Sequence, residues 1–341
     1  EEVGLEGAFA LDCSDLKGRK LVNLDSEEEG VFTVSCAGGV RVDCFLPGVK
    51  APLNGEAGYE ISLEGLLGGH SGAEIHKGRA SANQVMGRVL YSAMERIPGL
   101  RLADIRGGKF DNVICSRNHA RAAVPADRAE EFEDFIREFD KALKNEYAGC
   151  DGGIALSCEK TALDKALSPE ATANMLRTLL AVPQGVQAMN VDFPGLVQTS
   201  LNLGVMELRE DGLYFGVSVR SCIATQKDMI VQRLKAILEL GGGSFTLRGN
   251  YPGWQYDRNS ALREEVLAAY QAVCGKQGTI EATHGGLECG LFVEKLPGLD
   301  AVSFGPELHD VHSVKERLNV ASTQRVYELT RELLKRESAA R

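Results

Sequence analysis

The sequence predicts an α/β domain that is split by an inserted α+β domain, which has an antiparallel sheet and helices. Patterns of buried strands, helices and Gly-rich loops occupy both ends of the 341-residue chain. Alternating strands, amphipathic helices and a hairpin turn occupy the middle. We therefore assign residues 1–44 and 255–341 to one domain and residues 45–254 to the insertion.

The first segment is predicted to contain short strands and turns, with no helical periodicity before residue 80. LVNLD (21–25) is an apolar strand that ends at Asp25, and VFTVSC (31–36) is a second strand. The acidic run SEEEG follows Asp25, so an ordinary turn residue is the alternative interpretation of this carboxylate.

The insertion contains helices with clear caps and apolar stripes. Ser168-Pro169 opens one helix, with a capping serine and a proline in the first turn. Asp211-Gly212 is a hairpin turn between two strands. The other predicted helices cover 82–97, about 126–147 and about 225–241. The order of strands and helices suggests two similar halves without a sequence repeat.

The last segment returns to an α/β pattern. A helix over 260–274 precedes the Gly-rich loop HGGLECG. DAVSF (300–304) is a buried strand, and the loop GPELHDVHS follows it. A final helix is predicted over about 322–336.

Composition limits the class of protein. Hydrophobic residues make up 44% and charged residues 25% of the chain, as in globular domains. A formal net charge of −10 argues against a nucleic-acid partner. The nine cysteines form no CxxC pair, which indicates reduced thiols and a cytoplasmic location. No apolar run approaches the ~20 residues that cross a membrane.

Four residues are candidates for a metal site. Asp25 directly follows a predicted strand, and His312 lies in the loop after another; sites in open α/β sheets form at such strand ends. Glu1 and Glu2 supply two further carboxylates. Carboxylates with imidazole suit Zn, Mn or Co. A solvated terminus and a plain loop histidine remain alternatives, and His309 is a rival to His312.

The segment GGHSGAEIH presents His70 between glycines, where its imidazole could stabilise an oxyanion. The alternative is a turn with a solvent-facing histidine. Ser71 is not favoured as a nucleophile, because no GxSxG motif is present. Arg220 ends a strand and could clamp a carboxylate, or be a solvated strand end. Asn112 and Asn202 could hold a substrate or be turn and strand residues.

Eight stretches, in family order along essentially the whole chain, resemble the dinuclear-metal peptidase family of carnosinases, aminoacylases and tripeptidases. The resemblance is strongest to its Xaa-His dipeptidase branch. The stretches are EEVGLEGAF, LVNLDSEEEG, CAGG, GGHSGAEIHKGRASAN, SLNLGV, YPGW, HGGLECGLF and SFGPELHDVHS.

The resemblance implies metal-dependent hydrolysis of dipeptides. Glu1 would be the general base, and His70 would reach the scissile carbonyl. The implied ligands of two divalent ions, most simply zinc with manganese or cobalt as alternatives, are Glu2, Asp25 and His312. The residues implied to bind the peptide are Arg220, Asn112, Asn202, Gly286, Leu287 and Glu288. The insertion would be a lid over the catalytic domain.

In this family an HxD motif and a bridging aspartate precede the glutamate pair. We therefore expect the chain to be a fragment that lacks the N-terminal half of its catalytic domain and is inactive alone. Aminoacylase or carboxypeptidase activity, and a non-catalytic association module, remain alternatives. Whether the lid forms a homodimer, and whether His70 acts within one chain, stays open.

Overall fold

The computed structural model describes residues 5–311 and 313–339. These residues form eight α-helices: α1 (Glu6–Ala10), α2 (Ala82–Arg96), α3 (Ala129–Glu146), α4 (Pro169–Ala181), α5 (Ala224–Leu240), α6 (Ala261–Cys274), α7 (Glu288–Lys295) and α8 (Val320–Ala339). Short 3-10 helices lie at Ile75–Lys77 and Ala126–Arg128.

The strands of the described residues belong to a small sheet, a large sheet and three two-stranded pairs. They are β1 (Lys20–Asn23), β2 (Val31–Cys36), β3 (Gly38–Pro47), β4 (Lys50–Pro52), β5 (Ala57–Glu64), β6 (Gly69–His70), β7 (Arg101–Gly107), β8 (Val113–Ile114), β9 (Asn118–Val124), β10 (Ala155–Lys160), β11 (Lys165–Leu167), β12 (Gly185–Met189), β13 (Val197–Leu208), β14 (Gly212–Ser221), β15 (Ser244–Tyr251), β16 (Thr279–Thr283), β17 (Asp300–Ser303), β18 (Leu308–His309) and β19 (Arg317–Leu318).

The small sheet has the strand order β1-β17-β2-β16. β1 pairs parallel with β17, and β16 pairs parallel with β2. Helices α6 and α8 bury an apolar core around Phe32 and Val302. On the other face, α7 contributes Cys289 to a cluster with Trp254. Helices on both faces of this sheet confirm the predicted α/β domain.

The large sheet has nine antiparallel strands in the order β10-β5-β9-β7-β13-β14-β3-β15, with β12 paired to β13. Helices α2 to α5 bury one face of it in the main hydrophobic core. The other face carries cross-strand ion pairs such as Glu60–Arg121 and Asp43–Arg248. One buried and one polar face produce the alternation seen in the sequence, and confirm the inserted α+β domain.

The large sheet is built from two halves of the same design. One half is β5, α2, β7, β9, α3 and β10; the other is β3, α4, β13, β14, α5 and β15. Within the sheet the halves run β10-β5-β9-β7 and β15-β3-β14-β13, so they meet edge to edge at β7 and β13. The predicted pair of similar halves is therefore present, with the first half inserted between β3 and α4 of the second.

The chain crosses between the two sheets twice, and the crossings lie side by side. Cys36 and Trp254 exchange backbone hydrogen bonds of 3.0 and 2.9 Å. A Cβ on Gly38 would lie 2.3 Å from the Gly253 nitrogen, so the crossings need glycine to approach this closely. The domain boundaries at residues 44 and 255 stay a prediction. The strands of the large sheet begin at Gly38 and end at Tyr251, a few residues before each predicted boundary.

Most predicted elements in the insertion are present. Ser168 caps α4, with its Oγ accepting the Ala171 N–H at 3.2 Å. The hairpin at Asp211-Gly212 joins β13 to β14. All nine cysteines are free thiols.

Three predictions of local structure were wrong. A helix, α1, exists before residue 80, and α7 begins at Glu288 inside the predicted HGGLECG loop. The predicted loop after β17 contains β18, which pairs with β19.

Candidate functional site

Asp25 lies at the edge of the small sheet where β1 and β17 both end. Backbone hydrogen bonds hold the loop after β17 beside it: Phe304 donates to the Asn23 carbonyl and Leu308 to the Glu27 carbonyl, each at 2.9 Å. This loop leads towards residue 312. Among residues 5–311 and 313–339, no group of three or more His, Cys, Asp or Glu side chains could hold a metal.

The other predicted residues of this centre, Glu1, Glu2 and His312, lie outside the described residues. The rival His309 is described: it belongs to β18, and its Nε2 is 3.2 Å from a carboxylate oxygen of Glu307. Of the predicted ligands, Asp25 is the one that lies within the described residues.

Helix α1, just after the predicted glutamate pair, is held in place from α7. The Lys295 ammonium donates to three carbonyls at the carboxyl end of α1, those of Ala8 (2.8 Å), Phe9 (2.7 Å) and Leu11 (2.9 Å). A cation suits a helix C-terminus because the unpaired carbonyls carry partial negative charge. Lys295 therefore fixes the start of the described chain against the small-sheet domain.

His70 lies in β6, in the lid. Its Nδ1 accepts hydrogen bonds from the backbone N–H groups of Gly72 (3.3 Å) and Ala73 (3.1 Å). The neutral ring therefore carries its proton on Nε2, which can act as a donor. Partial burial and the positive charge of Arg220 lower the pKa of His70. His70 is thus a neutral hydrogen-bond donor at neutral pH.

Asn112 and Asn202 belong to one structural unit. The buried Asn202 amide donates to the carbonyls of Asp111 and Val113, each at 2.8 Å, and its oxygen accepts from Gln184 at 3.1 Å. The Asn112 carbonyl lies between these and accepts the Ser71 N–H at 2.9 Å. Asn202 thus fixes the strand that pairs with β6, and its amide hydrogens are already used.

Arg220 is the penultimate residue of β14 and is half-buried beside His70. A Cβ on Gly72 would be 3.0 Å from His70 Cε1 and 3.4 Å from Arg220 Cζ. None of the ion pairs among the described residues includes Arg220, and its Nε lacks a hydrogen-bond partner there. Its Nη1 donates to the Tyr251 hydroxyl at 3.4 Å. A half-buried guanidinium without a counter-ion is suited to bind an anion.

His284, in the loop after β16, connects the two sheets. It is 6% exposed, and its Nε2 lies 2.7 Å from the Ser200 hydroxyl of β13. Ser200 is the cross-strand neighbour of Arg220. Burial, with the charges of Arg220 and His76, lowers the pKa of His284 to about 3. The ring is therefore neutral at working pH.

Gly286 and Glu288 follow His284. A Cβ on Gly286 would lie 2.9 Å from the Tyr251 ring, so this glycine touches the cluster around Arg220. Glu288 begins α7, where the helix dipole favours a carboxylate, and its Oε2 is buried without a partner in the described chain. Their predicted part in substrate binding stays a prediction.

Comparison with known proteins identifies the family of this chain. Residues 61–150 match the M20 peptidase dimerisation domain. The chain is 37% identical over 338 residues to an Escherichia coli (strain K12) protein named cytosol non-specific dipeptidase, covering 98% of this chain and 69% of that protein. This chain belongs to the M20 peptidase family. It is therefore a hydrolase of the class that acts on peptide bonds.

A solved structure agrees with this assignment. The M20 peptidase matches the crystal structure of aminoacylhistidine dipeptidase from Vibrio alginolyticus with a TM-score of 0.92 and 33% identity, over 98% of this chain and 69% of that one. Within the described part of the M20 peptidase, no helix is long and apolar enough to cross a membrane.

The match to residues 61–150 falls in the first half of the large sheet, which supplies His70. The second half supplies Arg220 and Ser200. Both halves of the M20 peptidase therefore contribute to one cluster within a single chain.

Sequence reasoning gave no role to Tyr251, Ser200 or His284. All three stand in stretches that supported the family resemblance: Tyr251 in YPGW, Ser200 in SLNLGV and His284 in HGGLECGLF. For Tyr251 and His284 the sequence signal was the nearby glycines, Gly253, Gly285 and Gly286, because glycine allows a ring or a backbone segment to pack closely.

Proposed function

We propose that this M20 peptidase hydrolyses dipeptides, with broad specificity that includes Xaa-His substrates, at a centre for two divalent metal ions. The names of the E. coli and V. alginolyticus relatives support a dipeptide substrate. The observation that carries the proposal is the half-buried Arg220, without a counter-ion among the described residues and adjacent to the neutral donor His70.

The metal part of the proposal rests on Asp25 and its surroundings. An exposed carboxylate at the end of β1, beside the loop that leads to His312, fits a ligand for a hard or borderline cation. Glu2 and His312 are the other proposed ligands. Two divalent ions there, zinc in the first instance and manganese or cobalt as alternatives, would supply Lewis acidity for amide hydrolysis.

The protein groups have separate proposed roles. Glu1 takes the proton of the attacking water and returns it to the leaving amine. His70 donates its Nε2–H to the carbonyl oxygen as negative charge develops. Arg220 binds the terminal carboxylate of the dipeptide with its guanidinium fork. Asn202 acts indirectly by holding Asn112 next to β6.

The experiment compares free dipeptides, including Xaa-His, with N-acetyl amino acids and longer peptides as substrates of the full-length, metal-loaded enzyme. Arg220→Met should raise KM for dipeptides about a hundredfold, because it removes charge-assisted hydrogen bonds worth ~1.5–3 kcal/mol each. Arg121→Met is the matched control, since Arg121 pairs with Glu60 on the polar face of the large sheet. Hydrolysis of N-acetyl amino acids in preference to dipeptides would instead indicate an aminoacylase.

Location and assembly are also proposals. We propose a cytosolic location, in line with the name of the E. coli relative. A homodimer through the lid would need a surface other than the β7 edge, because β13 already pairs with that edge.

A further inference from the structure

Tyr251 is placed next to Arg220 by two glycines. A Cβ on Gly39 would lie 2.7 Å from three atoms of the Tyr251 ring, and a Cβ on Gly286 would lie 2.9 Å from its Cε2. Gly39 is also the cross-strand partner of both Arg220 and Tyr251. The ring therefore lies across β3, where a larger residue would block it, and its hydroxyl reaches the guanidinium.

The backbone at Tyr251 is held in place by an irregularity in β15 and by the Lys227 side chain. A register shift in β15 between Arg248 and Tyr251 includes Gly249, whose φ of +56° favours glycine. The ammonium of Lys227, 6% exposed, donates to Asn250 Oδ1 at 2.7 Å and to the Tyr251 carbonyl at 2.8 Å. The irregularity in β15 and the buried Lys227 ammonium thus both hold the backbone of Tyr251 in place.

The hydrogen bond between Arg220 and Tyr251 leaves the phenol hydrogen of Tyr251 available for another acceptor. Arg220 Nη1 donates at 3.4 Å, so the phenol oxygen is the acceptor. The phenol O–H has no acceptor among residues 5–311 and 313–339. Two donors, a guanidinium and a phenol, therefore lie side by side, and no carboxylate of the described residues pairs with them. A carboxylate has two oxygens and can accept from both.

We propose that Tyr251 is a second carboxylate-binding residue, which donates its phenol hydrogen to the terminal carboxylate of the peptide held by Arg220. This inference rests on the proposed function of the site. It predicts selectivity for peptides with a free carboxyl terminus over their amides, because an amide presents one acceptor oxygen and no charge.

The test uses Tyr251→Phe, which keeps the ring and removes the hydroxyl. KM for a free dipeptide should rise about tenfold with kcat changed less than twofold, because a hydrogen bond to a charged group is worth ~1.5–3 kcal/mol. KM for the corresponding dipeptide amide should stay unchanged. Tyr327→Phe, at an exposed tyrosine on α8, is the matched control. Thermal unfolding of each variant confirms that it is folded.

A binding measurement separates this inference from the proposed function. Calorimetry with a dipeptide analogue whose amide is replaced by a methyleneamine should show about tenfold weaker binding of the acid form to Tyr251→Phe, and unchanged binding of the amide form. Equal loss for both forms, or no loss for the acid, would overturn the role of Tyr251. Binding that depends on Tyr251 in an enzyme that hydrolyses no dipeptide would overturn the proposed function alone.

Discussion

The Ser200 hydroxyl lies 2.7 Å from Nε2 of His284, so a buried hydrogen bond joins the large sheet to the small sheet. Ser200 is also the cross-strand neighbour of Arg220. The position of the guanidinium relative to the small-sheet domain therefore depends on this contact.

The first prediction concerns acid stability and His284. Its pKa is about 3 in the folded chain and ~6.5 when unfolded, so below pH ~6.5 the unfolded state binds a proton that the folded state does not. Folding stability is therefore lost as pH falls from about 6.5 towards 3. His284→Gln should remove this loss, about 1.4 kcal/mol per pH unit between pH 6 and 4. Urea unfolding at several pH values measures it.

Ser200→Ala provides the comparison for that experiment. It removes the hydrogen bond but leaves the imidazole buried, so stability should fall by about 1 kcal/mol while the acid slope stays that of the wild type. Equal slopes for His284→Gln and the wild type would contradict the prediction.

The second prediction concerns the charge beside His70. Partial burial and, after it, the charge of Arg220 lower the pKa of this imidazole, so removing the guanidinium should raise it. NMR titration of the ring Cε1–H in Arg220→Met should show the upward shift. Arg121→Met, on the polar face of the sheet, should leave the titration of His70 where it is. A downward shift in Arg220→Met would be inconsistent with the described geometry.

The third prediction concerns Asn202 as a positioning residue. Asn202→Ala leaves two partly buried carbonyls without this donor and should cost about 1–2 kcal/mol of unfolding free energy. It should also speed hydrogen exchange at the Ser71 amide, which bonds to Asn112. Asn174→Ala removes one hydrogen bond to Gly241 elsewhere and should not change exchange at Ser71. Unchanged exchange in Asn202→Ala would argue against the positioning role.

The fourth prediction concerns Asp25 as a metal ligand. Asp25→Asn should weaken zinc binding by more than the ~10–100-fold loss typical of outer-shell changes, because a ligand itself loses its charge. Metal content after dialysis, and the rise of melting temperature on adding zinc, both measure it. Asp15→Asn, in the segment before β1, is the control. Equal metal content in both variants would remove Asp25 from the proposed ligand set.

Elements with strong local signals could be predicted from the sequence. Helix α2 has the apolar stripe Val85, Val89 and Ala93, and all three side chains are buried. Helix α1 has only five residues and no side-chain cap, and it is held by Lys295, 284 positions from Leu11. No local pattern could predict it, because its stabilising partner is distant in the chain.

The same distinction applies to the candidate site. His70 and Arg220 could be proposed individually from glycine spacing and strand position. Their convergence depends on the pairing of β6 with β8, of β13 with β14, and on the hydrogen bonds of Asn202. Tyr251 could not be predicted as a site residue, because its position depends on two glycines that are distant in sequence. Gly39 lies in β3 and Gly286 in the loop before α7, and both leave room for the Tyr251 ring.

The edge-to-edge pairing of β7 with β13 places both copies of the lid unit in one polypeptide. If two identical subunits paired in this way, a single substitution would change both copies of the lid unit at once. Here a mutation near His70 and one near Arg220 can be selected separately. The surroundings of His70 and those of Arg220 can therefore change independently of each other, although both belong to one chain.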